Sequence, residues 1–375
     1  MNSQNGNTPR KLDNTATMVM PKQGGATSGR AERWTGPAST YYGVPLVKKA
    51  HWKWQIILYF FLGGIAGGSF LVSTLADLFN REKYRDLIRA GRYLSFVCVL
   101  ASPILLILDL GKPERFYNML RILKLRSVMS LGSWGLSIFG MLCGFTTAHQ
   151  MANDGLLNWL PPIAKLMRAI PVRVIETVGS VAGLFVASYT GVLLSSTAVP
   201  VWARARHVLG PLFVTSGLST ALSALSLILS FGRSNHEELE KLDNAEMVAM
   251  TTELGLIASL YPILGPLGKP LFKGKNGALF QAGTIGSGLV LPLLIKLVSR
   301  VTGHKASPEQ HIAASLLVLV GGYILRHVWI TAGRASADDP EAVHYYNAKE
   351  WEEGSNHNHN AEPGRAEVPP PLKLR

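Results

Sequence analysis

WQIILYFFLGGIAGGSFLVSTL, residues 54–75, is 22 residues long and contains no formally charged side chain. A hydrocarbon core of roughly 30 Å takes about 20 helical residues to cross, so this stretch alone predicts a membrane span. A core helix of a soluble protein would show a charged face with a 3.6-residue period, and this one shows none. Working outward, seven further stretches have the same character: 93–110, 128–147, 174–195, 207–231, 247–267, 277–295 and 312–330. Four of the eight spans carry no formal charge, and the others carry only Asp109, Glu176, Glu253 and Arg326. The second and seventh are short and contain Pro103 and Pro292. The fold class is therefore all-α, a polytopic transmembrane bundle of eight helices.

Composition agrees. Of 375 residues only 16% are charged, against about a quarter in soluble proteins. Two cysteines exclude a disulfide scaffold, a multi-cysteine zinc module and an iron–sulfur cluster held by this protein alone. The net charge of +13 divides into +6 over residues 1–53 (8 basic, 2 acidic), +11 over 54–335 (25 basic, 14 acidic) and −4 over 336–375 (4 basic, 8 acidic). In the middle section the cations sit in connectors between apolar runs. They read as headgroup and docking contacts, and nucleic acid is not an expected partner. Residues 1–50 and 336–375 are polar and read as flexible tails around a 51–335 membrane domain. No secretory signal is evident. His357 and His359 lie in an Asn/His tract of the second tail, and no metal site is assigned to them. The connector 161–173 alternates apolar and basic residues and is expected at the interface.

Eight spans place both termini on one side, here side A. Connector cations divide almost equally between the sides, and only the N-terminal tail inclines side A toward the cytoplasm. Small residues recur inside the spans, at Gly63, Gly64, Gly67 and Gly68 and at Gly132, Gly135, Gly140 and Gly144, and read chiefly as close-packing positions.

Ionisable residues inside a bilayer are costly and become functional candidates. Tyr59, Asp109, Tyr189, Arg326 and His327 all fall toward side A, with Arg115 in the loop beyond Asp109. Two phenols, a carboxylate and cations suit a polar headgroup that exchanges protons. Each has a plainer alternative: Asp109 can pair with Arg115, Tyr59 can belong to an interfacial aromatic belt, and Arg326 can snorkel to the interface. Toward side B, Asp77, Glu176 and Glu253 can carry protons or simply pair with neighbouring helices. The histidines cluster at span ends and His327 has no evident partner, which disfavours a haem.

Five stretches taken together resemble the polysulfide reductase membrane-subunit family, the NrfD-like proteins. They are LGGIAGGS at 62–69, DLGKPERF at 109–116, RSVMSLGSW at 126–134, SYTGVLLSSTAVPVW at 188–202 and GGYILR at 321–326. The resemblance covers about residues 50–335. It implies eight helices in two four-helix bundles, and a quinone-reactive subunit of a respiratory oxidoreductase in a bacterial or archaeal cytoplasmic membrane. The subunit would hold no haem or iron–sulfur cluster. The implied partners are a four-cluster ferredoxin-like iron–sulfur subunit and a molybdopterin or multihaem catalytic subunit, with menaquinone or ubiquinone as exchangeable substrate.

The family's fourth-helix tyrosine matches Tyr189, and its loop arginine matches Arg115. Its polar residue early in the first helix is a histidine in the best-known member and matches Tyr59, while a neighbouring asparagine is Ile56 here. On this basis Tyr59 and Tyr189 would bind the quinone carbonyls, Asp109 would handle protons and Arg115 would stabilise developing charge. Asp77, Glu176 and Glu253 would link the pocket to side B. A membrane anchor without quinone chemistry and a secondary transporter are the competing readings.

Overall fold

The computed structural model describes residues 46–232, 236–302 and 308–357. Residues 1–45 of the first expected tail and 358–375 of the second lie outside these ranges, His359 among them. Eight helices are long and apolar enough to cross a membrane. They are α1 (Trp54–Asn80), α2 (Arg85–Asp109), α3 (Val128–Asn153), α5 (Val172–Ser195), α6 (Arg206–Ser230), α7 (His236–Leu264), α8 (Gly274–Thr302) and α9 (Pro308–Ala337). A short helix α4 (Pro161–Ala169) joins α3 to α5, and α10 (Pro340–His357) follows α9. Part of the stretch expected to be a polar tail is thus helical, with Ala342 and Val343 buried.

Most helices overrun the apolar stretches that predict them. Once helical, a polypeptide in a bilayer gains by continuing, because every backbone N–H and C=O must be satisfied within it. The π-helical segment Leu279–Val290 of α8 leads directly into Pro292. Such segments mark places where the usual ladder is interrupted. In the expected interfacial connector, α4 is tied back to α3. Arg168 donates to the Ala152 carbonyl at 2.6 Å, and His149 Nδ1 lies 2.9 Å from the Met167 carbonyl.

Helix α1 is the shared element. It packs on α2, α5, α6 and α9, so it touches helices of both sequence halves. Its small-residue face makes this possible. A Cβ on Gly64 would stand 3.1 Å from Gly217 Cα of α6, and one on Gly67 would stand 3.0 Å from the Gly183 carbonyl carbon of α5. Gly68 faces the Gly217 carbonyl oxygen at 2.9 Å by the same measure. Backbones meet here with no side chain between them, as small residues allow in membrane helices. Gly288 and Gly321 make a similar backbone approach between α8 and α9.

A Gly67→Leu substitution should therefore force α1 and α5 apart at an overpacking cost of about 1–3 kcal/mol. The measurement is thermal unfolding in detergent, with Gly140→Ala as the neutral control, since a Cβ there meets nothing nearer than Val99 at 3.9 Å. Equal midpoints for both variants would show that the glycine seam is not a packing constraint.

Candidate functional site

The side-A end of α1, α2, α3 and α5 gathers the phenols. Tyr59 comes from the second turn of α1 and is only 3% exposed, so it lies among helices and is no lipid-facing belt residue. Its hydroxyl makes no hydrogen bond among the described residues. Tyr189 stands on the neighbouring α5, which packs against α1. The Tyr189 hydroxyl donates to the Val128 carbonyl of α3 at 2.8 Å. That carbonyl is at the first turn of α3, opened by Ser127, whose side chain accepts from the Ser130 N–H. The Tyr189 ring occupies the space a Cβ at Gly132 would need, so Gly132 is what lets the phenol reach α3. Phe185, one turn from Tyr189, lies 5.8 Å from it ring to ring.

Asp109 ends α2 at this same level with Lys53 beside it. It makes no ion pair with Arg115. Arg115 is exposed in a 3-10 turn (Pro113–Arg115), so a pair with Asp109 that would order the loop does not form. Three side-chain atoms at this end are buried with no hydrogen-bond partner: Gln55 Oε1, Asp109 Oδ1 and Trp134 Nε1. Gln55 precedes Tyr59 by four residues and so shares its helix face. An orphaned buried polar atom costs about 1–3 kcal/mol, so these three leave hydrogen-bonding capacity unmet at this end of the bundle. Beside it, an open apolar groove of about 460 Å³ runs along the outside of α3 and α5, lined by Gly135, Ile138, Leu142, Val178, Val181 and Phe185.

Asp77 and Glu176 are brought together by a cation just outside the second predicted span. Arg92, 1% exposed on α2, pairs with Asp77 at 3.3 Å and with Glu176, and donates to Gln150 Oε1 of α3 at 2.6 Å. Four helices are thereby tied at one guanidinium. Gln150 continues to Asp154 at 3.1 Å, which Tyr93 and Arg89 also reach at 2.8 Å and 2.9 Å.

Glu253 is elsewhere. It is 1% exposed on α7 and accepts from Ser219 Oγ of α6 at 2.8 Å. Arg326 does not snorkel. It is fully buried on α9, donates to Ser216 Oγ and to the Gly322 carbonyl at 2.7 Å each, and lies over the rings of Phe61 and Phe213. Shielding by those rings removes any route for its charged head to the interface.

Eight helices long and apolar enough to cross a bilayer, with these polar groups gathered toward one end, define a multi-pass membrane protein. The chain belongs to the family described as Polysulphide reductase, NrfD, whose model matches residues 45–337. The C subunit of polysulfide reductase from Wolinella succinogenes is similar, with 28% identity over 302 residues, 76% of this chain and 94% of that protein. Protein NrfD of Escherichia coli is 26% identical over 306 residues, 76% of this chain and 95% of that protein. The Hdr-like menaquinol oxidoreductase integral membrane subunit of Archaeoglobus fulgidus shares 31% over 80 residues, 21% of this chain and 20% of that protein.

Replacing Arg92 by Met should leave two carboxylates buried without their cation and cost about 3–5 kcal/mol. Thermal unfolding of the purified protein reads this directly. An Arg92→Met protein as stable as the wild type would show that the cluster is not what ties the four helices.

Proposed function

We propose that this protein is the quinone-reactive membrane subunit of a respiratory oxidoreductase in a bacterial or archaeal cytoplasmic membrane. One observation carries the reading. Two phenols from facing helices stand with a carboxylate and an amide whose buried oxygens lack partners, at the head of an apolar groove of about 460 Å³. A quinone has that shape: a polar ring with two carbonyls on a long apolar tail. The family membership and the reductase-subunit names of the relatives support it.

The roles follow from hydrogen-bond inventory. Tyr59 has its proton free and donates to a quinone carbonyl. The Tyr189 hydroxyl already donates its hydrogen bond to the Val128 carbonyl, so its oxygen accepts from a quinol hydroxyl. Gln55 and Asp109 supply further acceptors, and Asp109 takes or returns a proton. A bound quinone supplies two-electron, two-proton chemistry. The protein's own residues hold the ring, exclude water and handle the protons.

Electrons come from or go to a four-cluster ferredoxin-like iron–sulfur subunit carrying a molybdopterin or multihaem catalytic partner. Its docking face is the side-A loop with Lys112, Arg115, Arg121, Lys124 and Arg126, among exposed Tyr117, Leu123 and Leu125. Arg115 there contributes positive field at the approach to Asp109. Protons travel by the side-B carboxylates. Among them Asp77 and Glu176 are held by Arg92, whereas Glu253 has hydroxyl neighbours and no ion pair among the described residues.

Tyr59→Phe and Tyr189→Phe should each lower quinone-linked turnover by about a hundredfold while the complex still assembles. Steady-state assays with a water-soluble quinol analogue on the purified complex decide it. Unchanged kcat and KM in both variants would remove the phenols from the site, and a complex that binds no quinone would favour a purely anchoring role.

A further inference from the structure

A second set of buried polar groups lies between α6, α7, α8 and α9, away from the Arg92 cluster. Near side B, the Lys296 ammonium on α8 donates to Asp243 Oδ1 at 2.7 Å and to Glu246 Oε2 at 2.5 Å. Glu246 is fully buried and the Lys296 side chain is 5% exposed. The outer end is wetter: His311 of α9 stands 3.5 Å from Asp243, with side chains 34% and 17% exposed. Inward, Glu246 Oε1 accepts from Ser223 Oγ at 2.6 Å, and Glu253 Oε2 accepts from Ser219 Oγ at 2.8 Å. Ser216, the next serine on α6, receives Arg326 at 2.7 Å.

Helix geometry turns these contacts into a line. Ser216, Ser219 and Ser223 recur at spacings of three and four on α6, one face of a helix. Asp243, Glu246 and Glu253, spaced by three and by seven (two turns), also share one face of α7. Ten residues from Asp243 to Glu253 rise about 15 Å, half of a hydrocarbon core of roughly 30 Å. The line starts at side B and stops mid-membrane.

Two features separate it from packing glue. Each inner serine has two acceptors in reach. Ser223 Oγ reaches Glu246 at 2.6 Å and the Ser219 carbonyl at 2.9 Å, and Ser219 Oγ reaches Glu253 at 2.8 Å and the Ser216 carbonyl at 3.1 Å. A hydroxyl carries one proton, so turning it to the backbone presents its lone pairs to the carboxyl. The other feature is Arg326. It is fully buried, yet its Nε and Nη2 have no hydrogen-bond partner, and no ion pair joins it to Glu253. Charges kept for stability in so dry a place would be in contact.

We infer that Asp243, Lys296, Glu246, Ser223, Ser219 and Glu253 form a half-membrane file that admits protons from side B to the foot of Arg326. A proton arriving at the Asp243 end passes to Glu246, freeing Lys296 to pair with Asp243 alone. Glu246 gives the proton to Ser223 Oγ, whose own proton turns from the Ser219 carbonyl to the Ser219 hydroxyl one turn along the same helix face; Ser219 gives its proton to Glu253, and Lys296 returns to Glu246. One proton enters and one is delivered, with no other bond changed. The final acceptor rests on the quinone reading. Gly64, whose Cβ would stand 3.1 Å from Arg326 Nη2, is five residues from Tyr59, about 7.5 Å along α1.

The full-length protein in lipid nanodiscs is stepped in pH and transferred to D2O while infrared difference spectra follow its carboxyl groups. Bands lost in Glu253→Gln and Glu246→Gln assign the two groups. Ser223→Ala should leave Glu246 exchanging at the wild-type rate and slow Glu253 by about tenfold. Equal Glu253 rates in Ser223→Ala and wild type, or a Glu253 carboxyl that never changes with pH, would overturn the file. Lys296→Met, slowing both groups, is the second support; unaltered rates there count against it equally. The assembled complex in liposomes with an entrapped pH dye separates the two proposals. Expected exchange without quinone-driven uptake sinks the quinone reading and leaves the file, and quinone turnover with unaltered exchange does the reverse.

Discussion

The contact on which the molecule depends is the glycine face of α1 against α5 and α6. At Gly67 and Gly68 the backbones of neighbouring helices come nearer than a Cβ would allow, and at Gly64 nearly so. In lipid there is no hydrophobic force to hold helices together, so close approach and the dispersion it brings must supply the adhesion. The same contact sets the chemistry. Because α1 is pressed onto both halves, Tyr59 faces α5, and Gly64, a turn further on, faces Arg326 from α9. A bulkier α1 would separate the pocket from the second half.

That tight seam makes room for polar groups only where side chains meet in pairs or files. Three such places exist among the described residues, and they differ in kind. The Arg92 cluster pairs one cation with two carboxylates and joins four helices, although Asp77 Oδ1, Arg92 Nε and both Glu176 oxygens lack hydrogen-bond partners. The side-A pocket leaves Gln55, Asp109 and Trp134 with unmet hydrogen-bonding capacity. The α6–α7 file is linked by serines whose single protons have two destinations. Charge pairing across four helices suits a staple, polar groups without an opposite charge suit a binding site, and degeneracy suits movement.

Much of this is legible in the residues. Eight spans and their order are readable because apolar runs of 18 or more residues seldom occur outside a bilayer, and the family is readable from its resemblance in five motifs. Tyr59, Asp109 and Tyr189 are readable from their depth along those runs. What escapes has one physical cause. A hydropathy reading stops a span at its first charge, and the helices do not. Arg92 lies one residue before the predicted second span, Glu246 one before the sixth and Lys296 one after the seventh. By position each belongs to a wet end, and each is buried. The oppositely charged partners that make burial tolerable sit on other helices, and no single-helix pattern displays them. The signal available is indirect: serines at 216, 219 and 223 on one face of an uncharged span. Gln55 escapes for a different reason. It lies in the first turn of α1, where a polar residue looks like an ordinary interfacial one.

The arrangement also constrains how electrons and protons can be related. The pocket opens beside the basic side-A loop, and the serine file opens to side B. Both end near the same turns of α1. A group accepting electrons from one face and protons from the other moves charge across the membrane without any helix having to cross it. The fold needs no large motion for this, which agrees with a glycine seam too tight to slide. Small local steps suffice: a lysine exchanging carboxylates, and serine hydroxyls turning. The burial of Arg326 supports that economy. A fixed positive charge at mid-membrane repels a free cation, yet leaves a path for a proton that travels as a neutral carboxyl and hydroxyl. Selectivity for protons over other cations would then come from the line of hydrogen bonds itself and require no dedicated filter.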